Sequence, residues 1–220
     1  FWGANYWKDL DTEIHFEYID PEKNEFFQGH GDLEMHGGRE SRTKPQKSFR
    51  LLAKKKYGQE YYDFPFFDSK PRNSRYKRIV VRNSSGDYGA AHCRDGFLQD
   101  YLIKSKLDLD ATGYQPVATY INGEYYGFMA IREKMDKYFP LTNYGETNVD
   151  LLEKERLTLE GDSLKFVSDY QYILDNDLSK TIHYEYAATL FDIENLMDYF
   201  HSQIGHVSTS WPNNNIKYWR

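Results

Sequence analysis

Residues 117–131 read VATYINGEYYGFMAI, and this stretch decides how the first half of the chain folds. Two runs rich in β-branched and aromatic residues, 117–121 and 124–131, flank the dipeptide Asn122-Gly123. A type I′ turn needs a positive φ at both of its central residues, and Asn-Gly adopts that conformation readily. The stretch therefore predicts a β-hairpin within an N-terminal antiparallel sheet.

Four more strands are predicted on the N-terminal side of the hairpin. Apolar residues alternate with polar ones in three segments and form a short continuous run in a fourth. The segments are marked by Ile14, Phe16 and Tyr18; by Leu33 and Met35; by Lys47, Phe49 and Leu51; and by the run Arg78–Arg82. The polar stretch 39–46, between the second and third strands, is predicted to be a loop.

Three segments on the C-terminal side of these strands have apolar residues at helical spacing. They predict helices over residues 94–107, about 164–174 and 193–204. Asp192 is placed to cap the last helix, because its carboxylate can accept a hydrogen bond from a free N–H of the first turn. One stripe of this helix carries Ile193, Leu196, Met197, Phe200 and Ile204. The chain is therefore predicted to be α+β, with a β-rich half over 1–132 and a helical half over 133–220.

Charge and cysteine content argue against several classes of protein. The chain has 28 basic and 34 acidic side chains and a formal charge of −6, so it lacks the basic excess typical of nucleic-acid-binding proteins. No sequence run approaches the roughly 20 apolar residues of a membrane span. The single cysteine, Cys93, excludes an internal disulfide. The seven histidines are scattered without the spacing of a zinc motif, so zinc is not predicted.

The tyrosines of the hairpin, between residues 120 and 126, allow two interpretations. An exposed platform that stacks on sugars is one, and burial within the sheet is the other. Burial is the prediction.

Five stretches, taken in order along the chain, carry a resemblance to a known family. They are Gly37-Gly38-Arg39-Glu40-Ser41-Arg42 with Pro45-Gln46-Lys47-Ser48-Phe49-Arg50; Arg82-Asn83-Ser84-Ser85-Gly86-Asp87; Arg94-Asp95; Tyr120-Ile121-Asn122-Gly123-Glu124-Tyr125-Tyr126-Gly127 with Glu133; and Trp211-Pro212-Asn213-Asn214-Asn215. Together they resemble the CotH family, the spore-coat-type atypical protein kinases. The order of elements is likewise that of a divergent two-lobed protein-kinase fold, with a β-rich N-lobe, a hinge and the first part of a helical C-lobe.

The resemblance implies ATP-dependent phosphorylation of serine or threonine in a protein acceptor, with Mg²⁺ as the metal. The acceptor would be a coat or surface protein, and the setting would be extracytoplasmic: secreted, at the cell surface or in the spore coat. The alternative is a catalytically inert pseudokinase, or a surface binding or adhesion module on the same fold.

In the β-rich half and at the hinge that follows it, the resemblance implies roles for five side chains. Lys47 stands where a kinase places its phosphate-contacting lysine, and Asp95 would hold it by an ion pair. The alternative for Asp95 is an acidic residue that offsets the dipole of its helix. The glycine pair would bring Ser41 and Arg42 to the phosphates, and Glu133 would lie at the hinge beside the nucleotide base. The alternative for Ser41 and Arg42 is an ordinary loop between two strands, and the alternative for Glu133 is a solvated connector residue.

In the helical half, the asparagines that follow Trp211-Pro212 resemble part of a kinase catalytic loop. Asn215, or Asn214, would bind Mg²⁺ through its amide oxygen. The family places an aspartate immediately before the Trp-Pro pair, and this chain has Ser210 there. A serine hydroxyl cannot accept the proton of the acceptor as a carboxylate can. The family's metal-binding aspartate lies farther downstream than Arg220, so the 220-residue chain is predicted to be inactive by itself.

Overall fold

The fold is described by a computed structural model that covers residues 3–8, 10–154, 157–208, 211–212 and 214–220. The strands of this part of the chain are β1 (Thr12–Asp20), β2 (Glu25–His36), β3 (Ser48–Ala53), β4 (Tyr62–Asp63), β5 (Arg75–Tyr76), β6 (Arg78–Arg82), β7 (Tyr114–Ile121), β8 (Glu124–Arg132), β9 (Leu151–Glu153), β10 (Leu157–Glu160) and β11 (Lys217–Trp219). The α-helices are α1 (Arg39–Arg42), α2 (Arg94–Ser105), α3 (Tyr138–Tyr144), α4 (Leu164–Asp175), α5 (Thr181–Leu190) and α6 (Ile193–Gly205). None of these helices has both the length and the apolar character needed to cross a bilayer.

The chain divides into two compact units. The first comprises Phe1–Lys104 and Ala111–Asn143, and the second comprises Ser105–Asp110 and Tyr144–Arg220. The short segment 105–110, which begins at the last residue of α2, therefore belongs with the C-terminal unit.

The first unit is organised by one sheet, called the large sheet below. Within the described residues its strand order is β1-β2-β3-β6-β8-β7, and every neighbouring pair is antiparallel. All the predicted strands are present, and α2 lies between β6 and β7 as expected. The α+β class and the antiparallel N-terminal sheet are confirmed.

The predicted hairpin is β7 and β8, and its turn has the expected geometry. Asn122 and Gly123 both have a positive φ, 51° and 83°, and Ile121 is paired with Glu124. A bulge then leaves Tyr126 as an extra residue between the pairs Thr119–Gly127 and Tyr120–Tyr125. The predicted burial of the hairpin tyrosines is wrong for Tyr120 and Tyr125, which are each 62 % exposed, because they lie at the tip where nothing else in the described chain covers them.

The core of the first unit lies on one face of the large sheet. Alternate residues of its central strands point into this core: Phe49, Leu51, Ile79, Val81, Met129 and Ile131. Aromatic residues from the connection between β3 and β6 cover them, with Tyr62, Phe66 and Phe67 buried completely or nearly so. Edge-to-face ring pairs within this connection, such as Phe67–Tyr76 with centroids 5.4 Å apart, pack its residues against one another.

The stretch predicted as a loop between β2 and β3 contains the short helix α1. Gly37, with a φ of 89°, turns the chain out of β2, and Gly38 is the N-cap residue. A four-residue helix has too few apolar positions to produce a detectable periodicity, so the sequence pattern missed it.

The second unit contains a small sheet, ordered β10-β9-β11 in the described residues, together with α4, α5 and α6. The predicted cap of α6 is confirmed, since the Asp192 carboxylate accepts a hydrogen bond from the Asn195 N–H at 3.0 Å. The helix α5 and the strands β9 and β10 were not predicted. The apolar stripe of α6 is present, but much of it is exposed, including Met197 and Ile204.

A buried polar network fixes the segment before β3 against the end of β6. The Ser41 hydroxyl donates to the Ser48 hydroxyl at 2.9 Å, and the Ser48 hydroxyl donates to Asn83 Oδ1 at 2.7 Å. The Asn83 amide donates to the carbonyls of Ser41, at 3.0 Å, and Gln46, at 2.6 Å. Asn83 is completely buried, so this one side chain satisfies polar groups from three separate parts of the chain.

Replacing Asn83 with alanine is expected to lower the free energy of unfolding by roughly 3 kcal/mol, because buried hydroxyl and carbonyl groups lose their partner. Urea unfolding of the 220-residue chain measures this, with Asn5→Ala at an exposed position as the control. Equal stability of Asn83→Ala and Asn5→Ala would contradict the role assigned to the network.

Candidate functional site

The face of the large sheet opposite the core is polar, and we call it the polar face. It carries Glu34 and His36 from β2, Arg50 from β3, Arg82 from β6 and Arg132 from β8. The alternation of side chains in a strand explains this placement, because the residues between them point into the core. The polar face is thus fixed by the same register that builds the core.

Three arginines surround Val80 on this face. Val80 of β6 is paired with Arg50 of β3 on one side and with Arg132 of β8 on the other. Arg82 lies two residues after Val80 in β6. Directly paired residues have Cβ atoms about 5 Å apart, so Arg50 and Arg132 are separated by about 10 Å at the backbone. Two carboxylates partly offset these charges: Glu34, 2.6 Å from Arg50, and Asp95 of α2.

Arg132 is fully engaged by its neighbours. Its guanidinium donates to the Asp95 carboxylate and the Thr112 hydroxyl, both at 2.6 Å, and to the Gly113 carbonyl at 3.1 Å. Arg82 also faces Asp95, with a shortest distance of 3.4 Å. Burial acts to raise the pKa of the Asp95 carboxyl, but the charges of Arg132 and Arg82 outweigh it and hold that pKa below its usual range.

The ion pair expected between Lys47 and Asp95 is not formed in this structure. Asp95 is instead held by Arg132 and Arg82, which extend from the polar face towards the first turn of α2. The Lys47 amine donates to the carbonyl of Arg42 at 3.0 Å and to that of Lys44, and it lies 4.3 Å from the centroid of the Tyr6 ring. Lys47 precedes β3 rather than lying within it. Its side chain lies against the C-terminal end of α1.

Ser41 and Arg42, expected beside the phosphates, both have structural partners. Ser41 is buried in the Asn83 network. The Arg42 guanidinium donates to the backbone carbonyls of Gly37 at 2.7 Å and Tyr6 at 3.1 Å. The Arg42 contacts tie α1 to the residue after β2 and to the N-terminal segment. A phosphate contact by Ser41 or Arg42 stays a prediction.

Glu133 is not the solvated connector residue that one interpretation allowed, because it is only 6 % exposed. Its carboxylate accepts hydrogen bonds from Lys70 Nζ at 2.5 Å, from the Gly113 N–H at 2.7 Å and from Asn143 Nδ2 at 3.1 Å. It thereby joins the residue after β8 to the residue before β7. A contact with a nucleotide base stays a prediction.

In the second unit, the asparagine loop lies between α6 and β11, as the sequence indicated. Trp211 packs edge-to-face on Phe200 of α6, with ring centroids 5.1 Å apart. Asn214 and Asn215 are exposed, and Asn215 has a positive φ of 59°. Ser210 lies outside the described residues.

The pKa of His36 reflects the positive charge around the polar face. Burial, followed by the charges of Lys134, Arg82, Arg50 and Arg42, lowers the pKa of its imidazole from 6.5 to about 3. The side chain is therefore neutral near pH 7, and its surroundings disfavour a further positive charge. An anion bound among these cations would be stabilised by the same potential.

Arg50 and Arg82 lie within the family motifs, but the motifs alone assign no role to either residue. The usable signal was the alternation of β3 and β6: once Phe49 and Leu51 are assigned to the core, Arg50 must lie on the other face. What the sequence did not provide was the pairing of β3 with β6, which brings the two arginines to the same region.

Comparison with known proteins gives one family. Residues 33–219 match the family model described as CotH kinase protein. No curated protein matches the chain.

Acidification is expected to destabilise the protein through His36. The unfolded histidine titrates near 6.5 and the folded one at about 3, so the unfolded state binds more protons between these values. The free energy of unfolding therefore falls as the pH is lowered from about 6.5 towards 3. Urea unfolding at a series of pH values should show a shallower dependence in His36→Gln; identical slopes would refute the assignment.

Proposed function

The chain belongs to the CotH kinase family, and from this membership we propose that its kinase-like domain binds ATP and serves Mg²⁺-dependent phosphoryl transfer to serine or threonine of a protein. Phosphoryl transfer requires cations that position the phosphates, a metal, and a group that orients the acceptor hydroxyl.

The observation that carries the proposal is the concentration of cations on the polar face beside α2. Arg50 uses Nη2 to pair with Glu34, while its buried Nε has no hydrogen-bond partner among the described residues. Arg82 is 3.4 Å from the Asp95 carboxylate, the one carboxylate within ion-pair distance of it among the described residues, and its guanidinium carries further N–H groups. Guanidinium groups with spare donors suit phosphate oxygens, which accept paired, charge-assisted hydrogen bonds.

In this proposal Arg50 and Arg82 contact the phosphates. Glu34 positions Arg50, and Asp95, itself held by Arg132, positions Arg82. Asp95 neutralises part of the charge of Arg82 and links α2 to the sheet. Lys47 remains the phosphate-contacting lysine that the resemblance implies, but its amine would have to leave the carbonyls of Arg42 and Lys44 to do so. Ser41 and Arg42 support the loop that carries it, and Glu133 fixes the hinge at the base end.

The asparagine loop supplies donors of the right chemistry for the metal. Amide oxygens are hard ligands of the kind that Mg²⁺ prefers, so Asn215, with Asn214, would hold the ion. When bound, Mg²⁺ supplies positive charge to the phosphate oxygens. The residues of this chain contribute the oxygen donors and the exposed loop that presents them.

A second candidate function is an inert nucleotide-binding or adhesion module. The observation that favours it is Ser210, in the position where the family has an aspartate. Without a carboxylate at position 210, no side chain of the motif 210–215 can take the proton of the substrate hydroxyl near neutral pH. Binding and transfer must therefore be tested separately.

The proposed acceptor is a coat or surface protein, and the proposed setting is extracytoplasmic. This follows from the association of the CotH family with the spore coat.

Arg82→Gln is expected to weaken Mg²⁺-ATP binding by about 10- to 100-fold, since one charge-assisted hydrogen bond contributes roughly 1.5–3 kcal/mol. Isothermal titration calorimetry measures the affinity, and circular dichroism checks folding. Arg75→Gln is the matched control, because Arg75 is an exposed arginine of the same unit that pairs with Asp63. Unchanged affinity in Arg82→Gln would remove the polar face from the nucleotide site.

The same titration on Lys47→Met assigns the lysine. A loss comparable to that of Arg82→Gln would support the contact implied by the resemblance. Wild-type affinity in Lys47→Met, with lower thermal stability, would mean that Lys47 only holds the end of α1.

Ser210→Asp, made in a longer chain that also carries the family's downstream metal-binding aspartate, tests whether position 210 lacks only a base. The wild-type chain is expected to incorporate no labelled phosphate from ATP into a serine-containing acceptor, while still binding ATP. Gain of transfer in Ser210→Asp, and not in Ser210→Asn, would identify a lost carboxylate. Robust incorporation by the wild type would contradict the predicted inactivity.

A further inference from the structure

One group of side chains in the described part of the chain has the composition of a transition-metal site. It consists of Glu13 and His15 on β1 and His30 on β2, and we call it the Glu13–His15–His30 trio. His15 and His30 are directly paired across the two strands. Glu13 lies two residues from His15, so all three side chains lie on the same face of the large sheet.

The donor atoms of the trio are close enough to meet at one ion. One ligand atom from each residue lies within 4.8 Å of the others, and Glu13 Oε1 is 2.8 Å from His30 Nε2. Donors around a tetrahedral ion with bonds of about 2.0–2.1 Å are roughly 3.4 Å apart. Binding therefore requires movements on the order of 1 Å, which rotation of the exposed Glu13 and His15 side chains can supply.

His30 is the fixed member of the trio. Its ring is stacked between that of His15, at 3.7 Å between centroids, and that of Tyr57, at 4.2 Å. Its backbone N–H donates to Gln59 Oε1 at 2.6 Å, and the Tyr57 hydroxyl donates to Asp32 at 2.8 Å. Neighbours that orient a ligating histidine in this way lower the cost of assembling a site.

Asp32 is the next acidic residue along β2 on the same face, and it does not complete the donor set. It is 2 % exposed, and its carboxylate is held by Tyr57, Lys54 and Lys56. A bound ion would thus have three protein ligands, and water would fill the remaining positions on the exposed side.

We propose that the Glu13–His15–His30 trio binds a divalent ion of the late first transition row, represented by Zn²⁺. Two imidazole nitrogens with one carboxylate oxygen match these borderline ions, whereas Mg²⁺ and Ca²⁺ prefer donor sets made of oxygen. The site is separate from the Mg²⁺ assigned to Asn214 and Asn215 and does not depend on nucleotide binding. The hydrogen bond between Glu13 and His30 can form without a metal, so the decisive test is binding itself.

The test titrates the 220-residue chain with Zn²⁺ alone, by calorimetry and without nucleotide. One ion per chain is expected, with affinity at least about tenfold weaker in His15→Gln and in His30→Gln, since each loses one of three ligands. His201→Gln, at an exposed position of α6, is the control and should bind as the wild type does. Circular dichroism confirms that each variant is folded.

Co²⁺ in place of Zn²⁺ provides a second readout, because its visible absorption reports the coordinating atoms. Bands that appear with the wild type and His201→Gln but not with His15→Gln support the site. The proposal is overturned if Zn²⁺ does not bind the wild type, or if His15→Gln and His30→Gln both bind it with wild-type affinity. A surface hydrogen bond between Glu13 and His30 would then be the whole explanation of the cluster.

Discussion

The register of the large sheet is the constraint on which the rest of the first unit depends. Because side chains alternate between faces, the pairing of Phe49 with Val81 and of Val81 with Ile131 assembles the core. The same pairing places Arg50, Val80 and Arg132 side by side on the opposite face. A slip of one residue would bury the arginines and expose the core residues, which neither face could tolerate. Burial of apolar side chains therefore also determines where the positive charge lies.

The positive charge on the polar face has a direct physical effect on the groups within it. Burial is the larger cause of the lowered pKa of His36, and the positive charge adds to it, so that His36 stays neutral. The same charge holds the Asp95 carboxyl ionised, although burial alone would raise the pKa of that carboxyl. A region that resists one more proton but stabilises a carboxylate is suited to an anionic ligand. This agreement between charge, geometry and family membership is why the polar face, rather than Lys47, has the central place in the proposed function.

Several motif residues stabilise the backbone through hydrogen bonds. Ser41 and Asn83 satisfy buried polar groups, Arg42 joins the strand end to the N-terminal segment, and Glu133 binds the N–H of Gly113. Motif residues in loops commonly combine these roles, because a loop without regular secondary structure still needs partners for its N–H and C=O groups. A motif therefore identifies a site more securely than it assigns each residue of that site to the chemistry.

The sequence by itself determined the hairpin, the strands of the large sheet, the helices α2, α4 and α6, and the cap by Asp192. Each follows from local rules: turn chemistry, period-two or helical spacing, and the free N–H groups of a first turn. The motifs also sufficed for the family. Only the tertiary structure decided that Asp95 pairs with Arg132, that Arg50 and Arg82 share a region of the polar face, and that His15 meets His30. These contacts join residues far apart in the chain, and their formation depends on which strands become neighbours, information that no local pattern contains.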